Sequence, residues 1–149
     1  MDLRLLGIIL PLVCALTASP GHAACGSAGM NPQPLTFGNY TGAQNDAIGS
    51  LQVYCNSGSF TAAGVGLSIG SAPTYYPRTM TKGASTLQYN IYTTAARQFV
   101  WGDGSGGTSF PPITNGAVNQ SFSLYGRIPS GQSVALGSYT DTLVITIFF

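Results

Sequence analysis

Apolar and polar positions alternate in short runs along this chain. In SLQVYC, Leu51, Val53 and Cys55 share one face and Gln52 and Tyr54 the other. TLQYNIY sets Leu87, Tyr89 and Ile91 against Gln88, Asn90 and Tyr92. The final run, GSYTDTLVITIFF, carries no charge after Asp141 and places Leu143, Ile145, Ile147 and Phe149 on one side. A period of two marks a strand with one buried face. LTFG (residues 35–38), RQFVW, FSLYGRI and VALGS read as further strands, and FTAAGVGLSIG is a glycine-broken run suited to a bulge or bend. Between these runs NYTGAQNDAIGS, WGDGSGGT and PSGQS supply turn chemistry. No segment sustains a helical period, and 20 glycines lower helix propensity further. About seven short strands with regular turns predict an all-β sandwich.

The pattern breaks only at the front. Leu5 to Leu16 is apolar, small residues follow, and Gly21 and Ala23 precede Ala24 as a cleavage site requires, so residues 1–23 read as a signal peptide. The apolar run is shorter than the roughly 20 residues that span a bilayer, which argues against a retained anchor. Acylation of Cys25 is disfavoured by His22, which stands where a lipobox carries a Leu-like residue. Residues 24–149 then form one domain, exported and free of transmembrane segments.

Removing the leader takes away the only histidine, His22, and the odd cysteine, Cys14. Cys25 and Cys55 remain as an even pair in an exported chain, so a disulfide is expected. The remaining charges are Asp46, Asp103 and Asp141 against Arg78, Arg97, Arg127 and Lys82. So sparse a set excludes a basic footprint for nucleic acid and, without histidine, leaves no usual metal site. GDGSGGT resembles a serine nucleophile loop but lacks a base, and it lacks the Lys-Ser/Thr of a phosphate loop; a tight turn is the plainer reading. Scattered aspartates do not make the facing carboxylates of a glycosidase. No enzymatic activity and no cofactor are expected. Tyr75, Tyr76, Trp101 and Phe110 stand in or beside loops and suit either packing or sugar stacking.

LTFGNY, SLQVYC, RTM, LQYNIYTTAAR, VWGDGSGGT, LYGRIPSGQS and GSYTDTLVITI, in that order, resemble the spore coat protein U domain, shared with subunits of archaic chaperone-usher pili. Trp101, Gly102, Asp103 and Gly104, then Tyr125, Gly126 and Arg127, then Tyr139 and Asp141 carry the resemblance, which runs from Cys25 to Phe149. It implies an immunoglobulin-like β-sandwich that lacks its last strand, with an open groove beside the C-terminal strand. Leu143, Ile145, Ile147 and Phe149 would line that groove. A periplasmic chaperone would fill it first, and a neighbouring subunit's extended segment would replace the chaperone after passage through an outer-membrane usher.

Polymerising subunits of this kind carry a donor segment before their first cysteine, whereas here only Ala24 separates the cleavage site from Cys25. The expectation is a fimbrial subunit that accepts a strand without giving one, at the tip or the start of a fibre, with a surface receptor or glycan as a further partner. A secreted spore or cell-surface coat protein and a small carbohydrate-binding module are the alternative readings.

Overall fold

The computed structural model describes residues 25–61 and 63–148. Residues 1–24, Ala62 and Phe149 lie outside them, so the expected leader and the last of the four groove residues fall among residues not described. Strands β1 (Ala28–Pro32), β2 (Asn45–Cys55), β3 (Gly64–Leu67), β4 (Arg78–Lys82), β5 (Ser85–Tyr92), β6 (Asn119–Ile128) and β7 (Ile145–Phe148) follow one another without an intervening helix. They form a five-stranded sheet in the order β1-β2-β6-β5-β4 and a two-stranded sheet of β3 and β7, with every pairing antiparallel. This is the all-β sandwich that the alternating pattern predicts, in the immunoglobulin-like form that the resemblance implies.

The core forms where the inward faces meet. Leu51 and Val53 of β2, Leu87, Tyr89 and Ile91 of β5, and Leu124 and Ile128 of β6 join Val65 and Leu67 of β3 and Ile145 and Ile147 of β7 in one buried cluster. β2 shows the logic most plainly, because burial alternates residue by residue from Gly49 to Cys55 as its apolar side chains do. Burying a Val, Leu or Ile side chain stabilises by about 1.5–3 kcal/mol, so a register slip of one residue, which would turn this whole set to solvent, is strongly disfavoured.

LTFG is not a ladder strand. Leu35 and Phe37 are buried, but their segment packs over β2 and β6 of the larger sheet, and the Phe37 ring meets Tyr89 edge-on with centroids 6.0 Å apart. Gly126 makes room for them: a Cβ there would lie 2.6 Å from the Phe37 ring and 2.7 Å from Leu35. VALGS forms no strand, and RQFVW contributes only single bridges at Val100 and Trp101. The last strand is shorter than its alternation suggested, because Thr140 bridges Thr81 of β4 before the chain crosses to β3. Tyr139, fully buried, makes the corner there by donating its hydroxyl to the Ala135 carbonyl at 2.9 Å, as a tyrosine corner does before strand F of an immunoglobulin sandwich.

Cys25 and Cys55 form the disulfide, tying the residues before β1 to the end of β2 across a sequence separation of 30. Its reduction is expected to destabilise the fold by about 3–4 kcal/mol in the chain-entropy model. Denaturant midpoints with and without reductant check this, and Cys55→Ser should behave as the reduced chain does.

Candidate functional site

β7 is paired on one side only. On β3, the amides of Val65 and Leu67 donate away from β7, to Pro111 O and Gly102 O, each at 3.1 Å, while Ser68 N donates to Val144 O at 2.9 Å. Opposed residues of an antiparallel ladder alternate between exchanging hydrogen bonds and not. With Val65 opposite Ile147 and Leu67 opposite Ile145, the bonded pairs are Gly66 with Thr146 and Gly64 with Phe148. The amide and carbonyl groups of Ile145 and Ile147 therefore point outward, where the two-stranded sheet has no further strand among the described residues. The outer side of β3 is occupied by the loops carrying Gly102 and Pro111; the outer side of β7 carries no strand among the described residues.

The side chains behind that edge are apolar and buried: Leu143 is 0%, Ile145 1% and Ile147 2% exposed. The groove expected beside the C-terminal strand is thus, in this structure, a backbone edge over buried side chains. A bare edge is a template for a further strand. Its amide and carbonyl groups offer a ladder of fixed register to any chain that lies along it.

The residues that carry the sequence motif lie elsewhere and organise the fold. Trp101 is buried and donates its indole N–H to Val65 O at 2.7 Å. Gly102 packs against Thr108, leaving no room for a Cβ. Asp103 holds the following turn, with Oδ1 accepting from Ser105 N at 2.9 Å and Ser105 Oγ at 2.6 Å, and Gly104 takes a φ of 90° that favours glycine. These bonds to Ser105 keep the Asp103 carboxyl below the usual carboxylate range.

Arg127 sits directly opposite Asp46 across β2 and β6 and donates to it through Nε at 2.7 Å and Nη2 at 2.8 Å, with Arg97 at 3.5 Å. Arg97 also lies over the Tyr125 ring, 5.9 Å from its centroid. The bond to Arg127 leads in holding the Asp46 carboxyl below its ordinary 3.8. A lowered carboxyl stabilises the fold fully above its unfolded pKa and loses that contribution as pH falls through the folded value. Asp46→Asn is therefore expected to change stability by less than about 1 kcal/mol at pH 7, as partly exposed pairs do, and to make no difference once the pH lies below both values. Urea midpoints of the two proteins across acid pH test this.

Asp141 belongs to a buried network that the sequence did not disclose. It accepts from Ser71 N (2.8 Å), Ser71 Oγ (2.7 Å), Tyr89 Oη (2.7 Å) and Thr142 N (2.9 Å). It forms no ion pair with an arginine; its partners come from distant loops and β5 as well as from its own turn. Beside it Arg78, fully buried, donates to Ser68 O at 2.9 Å, Asn90 Oδ1 at 2.8 Å and Trp101 O at 2.6 Å, with its guanidinium 4.9 Å from the Tyr75 ring centroid. Burial lowers the Arg78 pKa, and burial followed by the Asp141 charge raises that of Tyr89 well above 10.0. Asn90, outward by alternation, is buried because it also donates to Tyr75 O at 2.6 Å. The available signal was Arg78 standing two residues before Met80 in RTM, a charge on the same side of the strand as an apolar side chain.

The fold is an all-β sandwich whose second sheet has two strands, and the sequence comparisons give the family. The chain belongs to the Spore Coat Protein U domain family, whose model it matches over residues 13–146. It is 34% identical over 146 residues to Protein U of Myxococcus xanthus, covering 89% of this chain and 80% of that protein. Among solved structures it is similar to a chain in the crystal structure of the CsuC-CsuE chaperone-tip adhesion subunit pre-assembly complex from the archaic chaperone-usher Csu pili of Acinetobacter baumannii. The TM-score is 0.60 at 20% identity, and the match covers 83% of this chain and 40% of that one. At that identity the likeness is one of fold.

Proposed function

We propose that this protein is an exported structural subunit of an archaic chaperone-usher pilus whose β7 edge accepts a strand from a partner. The unpaired edge at Ile145 and Ile147 over buried apolar side chains carries the reading. Likeness of fold to a chain of a chaperone-tip subunit complex supports it. On this reading residues 1–23 direct export and are removed. A periplasmic chaperone occupies the edge in transit, and a neighbouring subunit's extended segment occupies it in the fibre at the cell surface, after the usher. Leu143, Ile145 and Ile147 form the apolar floor beside the incoming strand, whose alternate side chains pack against them; Phe149, expected to join them, lies outside the described residues. Cleavage after Ala23 leaves Ala24 ahead of Cys25, which the disulfide fastens to Cys55. The mature chain then has no free segment to offer, which suits a tip or chain-starting position.

The test is expression of the chain in the periplasm with and without the cognate chaperone, followed by size-exclusion chromatography and mass measurement of the mature N-terminus. Degradation or aggregation alone, with a defined one-to-one complex when the chaperone is present, is the expected result. A monomer that melts cooperatively alone contradicts it. The likeness to Protein U and the family description favour a second reading, a surface coat protein whose edge is covered by a second copy of itself; a stable homodimer formed without chaperone would select it.

A further inference from the structure

On the outward face of the β3/β7 sheet lies a cavity of about 850 Å³, bordered by the loop that carries Tyr75 and Tyr76 and by the Asp103 turn. Its size falls in the range of small-molecule sites, roughly 300–1,000 Å³. Gly66 forms part of the floor, where a Cβ would lie 2.6 Å from the Phe148 ring. Tyr76 is half exposed and donates its hydroxyl to Gly107 O at 2.9 Å, tying the two bordering loops together. Tyr75 is held by its hydroxyl's bond to Leu67 O at 3.0 Å and by Arg78 stacked on its ring.

The lining pairs aromatic faces with fixed polar groups. Asp103 presents an ionised carboxylate, an acceptor only, and Ser105 stands beside it. No lysine or arginine lines the cavity, which disfavours phosphates and acidic sugars. The charged carboxylate disfavours a lipid tail, because taking a charge out of water against hydrocarbon is costly. A ligand with apolar C–H faces and many neutral hydroxyl donors satisfies both halves of the lining.

We propose that this cavity binds a neutral oligosaccharide, with Tyr75 and Tyr76 packing on sugar rings and the Asp103 carboxylate accepting hydrogen bonds from their hydroxyls. The site opens on the face of the β3/β7 sheet and not on the outer edge of β7, so it stands independently of strand capture.

The test titrates the full mature chain, in whichever complex it is purified, with a panel of maltotriose, cellotriose, mannotriose and triacetylchitotriose, read by calorimetry. At least one should bind. Tyr76→Ala should weaken that binding about tenfold or more, as loss of an aromatic anchor does. Asp103→Asn should weaken it and Tyr76→Phe, which keeps the ring, should retain most of it. Ile48→Ala, at an exposed residue of β2, should leave it unchanged. Failure of every trisaccharide to bind overturns the proposal. So does binding that survives both Tyr76→Ala and Asp103→Asn, or tighter binding of sialylated than of neutral trisaccharides.

Discussion

Ile147→Pro is expected to abolish capture of a partner strand, while Ile147→Ala weakens the fold but still forms the chaperone complex. Both variants remove a buried side chain, at a cost of about 2–5 kcal/mol for Ile→Ala. They differ at the backbone. The Ile147 amide points away from β3, so proline leaves the Gly66–Thr146 and Gly64–Phe148 pairs in place. What it deletes is a donor on the outer edge, and its ring stands where an incoming strand would lie. A strand laid along β7 then loses a ladder bond and meets a steric block in the middle of the edge. Co-purification with the chaperone, read by size-exclusion chromatography, should show complex for the wild type and Ile147→Ala and none for Ile147→Pro. Equal recovery of both variants would mean that the partner does not dock here.

A large loss of stability is expected at Asp141. It is 2% exposed, and removing its carboxylate strands the Tyr89 hydroxyl in the interior and releases the amide and hydroxyl of Ser71, an exposed residue. A buried donor left without a partner costs about 1–3 kcal/mol, more when the lost partner is charged. Asp141→Ala should therefore lower stability by about 2–4 kcal/mol, a large share of the roughly 5–15 kcal/mol that holds a domain together. Asp141→Asn should fall between, because its amide keeps one acceptor oxygen and turns the other toward donors that cannot use an NH₂. Urea midpoints measure both. The effect reaches the docking edge, since Asp141 anchors the turn that delivers the chain from β4 to β7. A variant that folds with a displaced Leu143 would also present a displaced edge.

Strands whose alternation was uninterrupted were legible in the sequence. β5 lies where TLQYNIY places it, and β2 and β6 contain SLQVYC and FSLYGRI, because half-buried strands must alternate; both begin earlier than those runs, β2 at Asn45 within the polar stretch read as a turn, where pairing with β6 holds residues that carry little apolar signal. β1 and β4 were not legible: AGMNP and RTMTK are short and polar, and they sit at the edges of the five-stranded sheet, where pairing asks little of the side chains. LTFG was over-read for the converse reason. Its alternation reports burial, and burial was met by packing over Gly49 and Gly126 of the larger sheet, not by joining a ladder. The network of Arg78, Asn90, Tyr89 and Asp141 was hidden because its members are brought together by the fold from positions up to 63 residues apart in number, with no local spacing to betray them. The bare edge, by contrast, was visible in a terminal run without charge, since an edge strand left open to solvent is normally guarded by charge or proline.

Amide hydrogen exchange resolved at Ile145 and Ile147 within the purified chaperone complex tests strand acceptance most directly. Strand capture predicts that both amides exchange as slowly as those of the central β2–β6 ladder, because each then donates to the partner's backbone. Exchange as fast as that of the exposed turn at Gly104 to Gly106, in a complex that is otherwise intact, would contradict it.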